Sequence, residues 1–131
     1  MHTLLELLNQ GGTIPFELQN LTILEILALE QGRIASTIPS QLGRISTLKI
    51  IDLDFQDLIG IIPEDIYGLV NLDTLDLNDN ALTGTISTKI GNLPKLRFVQ
   101  LGNDQPGGAN NFIGSLPAQL GSLPLLGAYN C

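Results

Sequence analysis

Leu72-Asp73-Thr74-Leu75-Asp76-Leu77-Asn78-Asp79-Asn80-Ala81-Leu82-Thr83-Gly84-Thr85-Ile86-Ser87-Thr88-Lys89-Ile90-Gly91-Asn92-Leu93 decides the architecture of this chain. Its skeleton, L-x-x-L-x-L-x-x-N-x-L-x-G-x-I-x-x-x-I-G-x-L, recurs on both sides at a step of 24 residues. One step towards the N-terminus it reads Leu48, Ile51, Leu53, Gln56, Leu58, Gly60, Ile62, Ile66, Tyr67, Leu69, and one further Leu24, Leu27, Leu29, Gly32, Ile34, Ser36, Ile38, Leu42, Gly43, Ile45. Towards the C-terminus Leu96, Val99 and Leu101 are followed by an insertion near residues 102–109, then by Asn110, Phe112, Gly114, Leu116, Leu120, Gly121 and Leu123. Apolar residues locked to such a period mean a stacked solenoid in which each repeat touches its neighbours.

The L-x-x-L-x-L part alternates as a short half-buried strand does. Strands from successive repeats then stack as a parallel sheet, roughly 4.8 Å apart. Gly60, Gly84 and Gly114 fall where the chain turns tightly, which calls for positive φ. Pro39, Pro63 and Pro117 open segments too short for an α-helix, which reads as single 3-10 turns with proline at their first position. The rest of each return is expected to be irregular.

The pattern N-x-L-x-G-x-I-P followed by x-x-[IL]-G-x-L, kept with variations in five copies marked by Ile14-Pro15, Ile38-Pro39, Ile62-Pro63, Ile86-Ser87 and Leu116-Pro117, resembles the plant-type leucine-rich-repeat family over about residues 12–131. The resemblance implies a right-handed solenoid with a concave parallel β-sheet and short 3-10 or irregular convex segments, here one domain spanning 1–131. Members of the family form receptor ectodomains, secreted inhibitors and defence proteins that recognise proteins or peptides. The chain departs from the pattern at the inward asparagine, which stands only at Asn80 and Asn110. Gln56 is long enough to substitute for it, whereas Gly32 is not, so the first half is expected to be looser. The paired cysteines of secreted members are missing. Met1–Gln10 reads either as a capping amphipathic helix or as a truncated first strand, with the strand slightly preferred.

Composition narrows the function. A net charge of −7 with six basic residues excludes nucleic acid and anionic membranes as partners. No apolar run approaches the length of a membrane span. The single cysteine, Cys131, forms no internal disulfide and reads as a core position. That places the protein inside the cell if the chain is complete, and outside or at the cell surface if it is part of a receptor-like protein. Asn20-Leu21-Thr22 is a glycosylation sequon that matters only in the second case. No cofactor is implied. His2 lacks metal partners, no calcium-loop pattern occurs, and nothing supplies the tuned pair of groups that acid–base catalysis needs. An enzyme is not expected.

Residues between the buried leucines of the strand point outward and stack in columns. The first runs Ile26, Ile50, Thr74, Phe98, Ala128, and the second Ala28, Asp52, Asp76, Gln100, Asn130. A third runs Glu30, Asp54, Asn78, Gly102, and a fourth Gln31, Phe55, Asp79, Asn103. The candidate ligand-binding residues are therefore Glu30, Asp52, Asp54, Phe55, Asp76, Asp79, Phe98, Gln100 and Asn103. An acidic cluster beside apolar anchors suits a basic protein or peptide. The Gly- and Pro-rich insertion, expected from its composition to be mobile, lies beside it. A structural or surface role is the alternative, including ice binding through the evenly spaced Thr13, Thr37 and Thr85, interrupted by Ile61. Uncapped ends also invite edge-to-edge self-association.

Overall fold

The computed structural model describes residues 12–29, 32–103 and 110–130. The expectations for Met1–Gln10, Glu30, Gln31, Cys131 and residues 104–109 lie outside the described residues. Five strands form the main sheet: β1 (Ile26–Ala28), β2 (Ile50–Asp52), β4 (Thr74–Asp76), β6 (Phe98–Gln100) and β8 (Ala128–Asn130), parallel and in that order. Pairing places Ile26 beside Ile50, Ile50 beside Thr74, Thr74 beside Phe98 and Phe98 beside Ala128. Register and sequence period are thus the same, and the first four strands bury their central residues: Leu27, Ile51, Leu75 and Val99.

Opposite each strand the chain makes a 3-10 turn: Phe16–Asn20, Ser40–Arg44, Glu64–Gly68, Thr88–Asn92 and Ala118–Ser122. Each proline stands one residue earlier than expected, in extended backbone just outside the turn, for example Pro39 at φ −66° and ψ 131°. There its carbonyl accepts the first bond of the turn, as from Leu42 N–H at 3.1 Å, and its missing N–H costs nothing. The fourth turn breaks the rule with Ser87, whose Oγ accepts from Lys89 N–H at 3.2 Å. Serine also restores a backbone donor, and the hydroxyl of buried Tyr67 accepts it at 3.5 Å. Tyr67 occupies a glycine position of the repeat, so these two departures answer each other. Burial pushes its phenol up to about 12.

A second parallel sheet was not expected. β3 (Ile59–Gly60), β5 (Ala81–Gly84) and β7 (Asn111–Phe112) pair along the flank. Gly60, Gly84 and Gly114 have φ of 81°, 81° and 83°, as their turn positions require. The flank strands are offset from the repeat. Ile59 lies beside Ala81, and Thr37 lies beside Ile59 rather than Ile61. The 24-residue column of Thr37, Ile61 and Thr85 therefore runs obliquely, and no two of its members face each other across paired strands.

Between the sheets and turns runs one continuous core, including Leu48, Leu53, Leu58, Leu72, Leu77, Leu82, Leu96 and Leu101. Inside it the asparagine ladder closes the coils. Asn80 Nδ2 donates to Leu53 O at 2.8 Å, Leu77 O at 3.1 Å and Asn78 O at 3.1 Å, while its Oδ1 accepts from Leu58 N–H at 3.0 Å. Asn110 repeats the arrangement with Leu77 O and with Leu82 N–H. Gln56 fulfils half of it. Its Nε2 donates to Leu29 O at 2.7 Å and Asp54 O at 3.0 Å, but its buried Oε1 accepts nothing. A Cβ on Gly32 would stand 2.6 Å from that oxygen, so glycine there is what makes room for the longer amide.

Candidate functional site

Three-residue strands at a common register put two columns side by side on the concave face. The apolar column holds Ile26 (55% exposed), half-buried Ile50 and Thr74, and Phe98 (42% exposed). Arg97 lies 5.6 Å from the centre of the Phe98 ring, covering one face of it. The polar column places Asp52 beside Asp76 and Asp76 beside Gln100.

Asp54 joins Asp52 and Asp76, and the three half-buried carboxylates approach within 4.8 Å of one another. They converge closely enough to share one cation. Yet Asp76 Oδ1 already accepts from Asn78 N–H at 3.1 Å, and calcium takes six to eight oxygens. Crowding shows in Asp54, whose carboxyl is raised from 3.8 to about 6, first by burial, then by the charges of Asp52 and Asp76. A hydrogen bond to Asp52 and the charge of Asp79 add smaller amounts.

A raised carboxyl pKa means that the folded chain holds this proton more tightly than the unfolded chain. The stabilising contribution is full below about pH 4 and is lost as pH rises through about 6. Asp73 has the opposite sign, because its hydrogen bond with Arg97 lowers its carboxyl. Asp54→Asn isolates the first effect. Its stability advantage over the parent chain, measured by urea unfolding, is expected to grow between about pH 4 and about pH 7. An advantage that stays constant with pH would contradict this origin.

The third and fourth columns need correction. Asn78 and Gly102 are buried rather than displayed, because strand alternation ends once the chain turns past Leu77 and Leu101. Asn78 Nδ2 donates to Gln100 Oε1 at 2.8 Å, which holds that side chain. Phe55 and Asp79 make the turn at φ 50° and 52°. This left-handed region suits aspartate and is unusual for phenylalanine. Phe55 is thereby carried to the rim, 42% exposed, while Asp79 is half-buried. Asn103 is exposed but engaged with Asn110, donating to its carbonyl at 3.1 Å and accepting its N–H at 3.0 Å. It closes the neck of the insertion rather than joining the acidic cluster. Asn20, the sequon residue, is exposed at the end of the first 3-10 turn.

Sequence reasoning missed the border of the strip. Glu25, Lys49, Asp73 and Arg97 follow each other at the repeat period with alternating sign. They pair as Lys49 Nζ with Glu25 Oε1 at 2.8 Å, and Arg97 with Asp73. Lys49, Glu25 and Arg97 are largely exposed and Asp73 is partly buried, so the pairs are worth little stability, but they engage the positive charges bordering the acidic columns. The alternation was visible at the period and gave the signal.

Curved parallel coils, an asparagine ladder and proline-led 3-10 turns define a leucine-rich-repeat solenoid. The Leucine Rich Repeat family model matches residues 71–93. No curated protein matches the chain. Among solved structures, the ectodomain of the Arabidopsis thaliana receptor kinase GASSHO1/SCHENGEN3 is 31% identical over 92% of this chain and 14% of that one, with a TM-score of 0.80. The Arabidopsis receptor kinase HAESA, in complex with an N-terminally extended IDA peptide hormone, is 36% identical over 91% of this chain and 19% of that one, with a TM-score of 0.77. The Arabidopsis thaliana SOBIR1 ectodomain is 28% identical over 93% and 64%, with a TM-score of 0.81. The chain has the leucine-rich-repeat fold and is similar to the leucine-rich-repeat ectodomains of plant receptor kinases. It spans less than a fifth of the first two relatives, at 14% and 19%.

Proposed function

We propose that the chain is a recognition module whose concave strip takes a protein or peptide segment bearing basic and apolar side chains, as part of receptor-like or defence signalling. The observation that carries this reading is the pairing of the Ile26–Ile50–Thr74–Phe98 column with the Asp52–Asp76 column and Asp54 on one exposed face. Carboxylates on neighbouring strands repel, and a cationic side chain laid among them relieves that cost while Phe98 and Ile26 receive its apolar neighbours. The HAESA ectodomain crystallised with a peptide hormone supports the assignment. So does the co-receptor complex of HAESA with SERK1. The scaffold serves binding rather than catalysis in this reading.

The test uses a labelled synthetic peptide of alternating arginine and leucine. Saturable binding that weakens with added salt is expected. Asp52→Asn combined with Asp76→Asn should lower affinity about tenfold, equivalent to about 1.4 kcal/mol. Equal affinity for the parent and the double variant rejects the acidic strip as the site.

A further inference from the structure

Opposite charges one repeat apart pair on this molecule where their side chains meet, as Glu25 does with Lys49 and Asp73 with Arg97. Arg33 and Asp57 have the same 24-residue spacing and do not pair. Instead both line a cavity of about 560 Å³ at the rim of the concave face, together with Gly32 and Phe55. The other basic side chains all have partners: Arg44 on Gln19, Lys49 on Glu25, Lys89 on Glu64, Lys95 on Asn71 and Arg97 on Asp73. Among the described residues Arg33 alone of the basic side chains has none, and the Asp57 carboxylate beside it has none either. The third wall is the exposed ring of Phe55, held there by left-handed backbone at a position where the next coil has Asp79.

We infer that this rim pocket binds a free α-amino acid with an apolar side chain. Such a zwitterion carries an ammonium and a carboxylate on one carbon and offers a partner to each charged wall. The Arg33 guanidinium matches its carboxylate with two parallel N–H donors. The Asp57 carboxylate accepts from its ammonium, and the side chain lies on the Phe55 ring. Gly32 contributes backbone to the pocket wall. The residues lining the pocket include none of Asp52, Asp54 and Asp76, so its test is separate from that of the concave strip.

L-Phenylalanine added to the isotopically labelled full chain is expected to shift the backbone N–H resonances of residues 32–34 and 55–57 saturably at millimolar concentration. Arg33→Gln and Asp57→Asn should each weaken binding at least about tenfold. The Asp52→Asn and Asp76→Asn variant should bind as the parent does. Arg33 and Asp57 are exposed, so unchanged circular dichroism will certify the fold of their variants. N-acetyl-L-phenylalanine amide, which lacks both charges, should not compete. No saturable shift, shifts that persist in Arg33→Gln and Asp57→Asn, or equal binding of the uncharged analogue would each overturn the assignment.

Discussion

Asn80→Ala is expected to remove about 3 to 4 kcal/mol of folding stability, more than most single substitutions in a domain of this size. The side chain is 2% exposed and forms four hydrogen bonds to backbone groups of two coils. Alanine leaves the Leu58 N–H facing a sealed interior with no acceptor, and an unmade buried bond costs about 1 to 3 kcal/mol by itself. The Leu53 carbonyl of the preceding coil loses its Nδ2 donor in the same step. Because the bonds tie one coil to the next, the loss falls on the interface that a stack of repeats depends on. Gln56→Ala gives the internal comparison. Gln56 donates twice and accepts nothing, so its removal orphans no N–H, and its cost should be about half. With no tryptophan in the chain, urea unfolding followed by circular dichroism is the suitable measurement. Equal losses for the two variants would show that the ladder's acceptor bond carries no special weight.

How much of this was legible beforehand depended on whether the period and the structure coincide. In the main sheet they do. Ile26, Ile50, Thr74 and Phe98 are spaced by the repeat and sit side by side, so both concave columns could be written from the letters alone. In the flank sheet they do not, since strand partners are offset from the repeat and β3 and β7 are only two residues long. The segment x-L-x-G then shows neither alternation nor length, and reads as a turn. Asn78 failed for a related reason. The outward rule follows from strand alternation, and it lapses where Asp79 enters left-handed backbone. Gln56 and Tyr67 were visible as departures from the repeat. That each answers another departure, Gly32 in one case and Ser87 in the other, required the distances across coils.

Gly43→Ala is expected to cost about 3 kcal/mol, while Gly121→Ala at the same repeat position should stay within about 0.5 kcal/mol. The repeat gives these glycines the same letter, but their surroundings differ. A Cβ on Gly43 would lie 2.4 Å from the Asp65 carbonyl oxygen and 2.6 Å from the carbonyl carbon. Those atoms belong to the backbone of the next 3-10 turn, Glu64–Gly68, so no rotamer change relieves the contact and the two turns must separate. A Cβ on Gly91 would meet the Gln119 Cβ at 2.8 Å, a longer approach than at Gly43 and to a side-chain rather than a carbonyl atom, and one on Gly121 would meet nothing within 4 Å. The expected order of cost is therefore Gly43, then Gly91, then Gly121. Tyr67 shows that this position does not demand glycine as such, since a large side chain fits where the following turn opens with Ser87 instead of proline. What Gly43 supplies is close approach between the second and third turns. Urea midpoints for the three alanine variants decide the matter, and three equal shifts would mean that the glycines serve backbone freedom rather than packing.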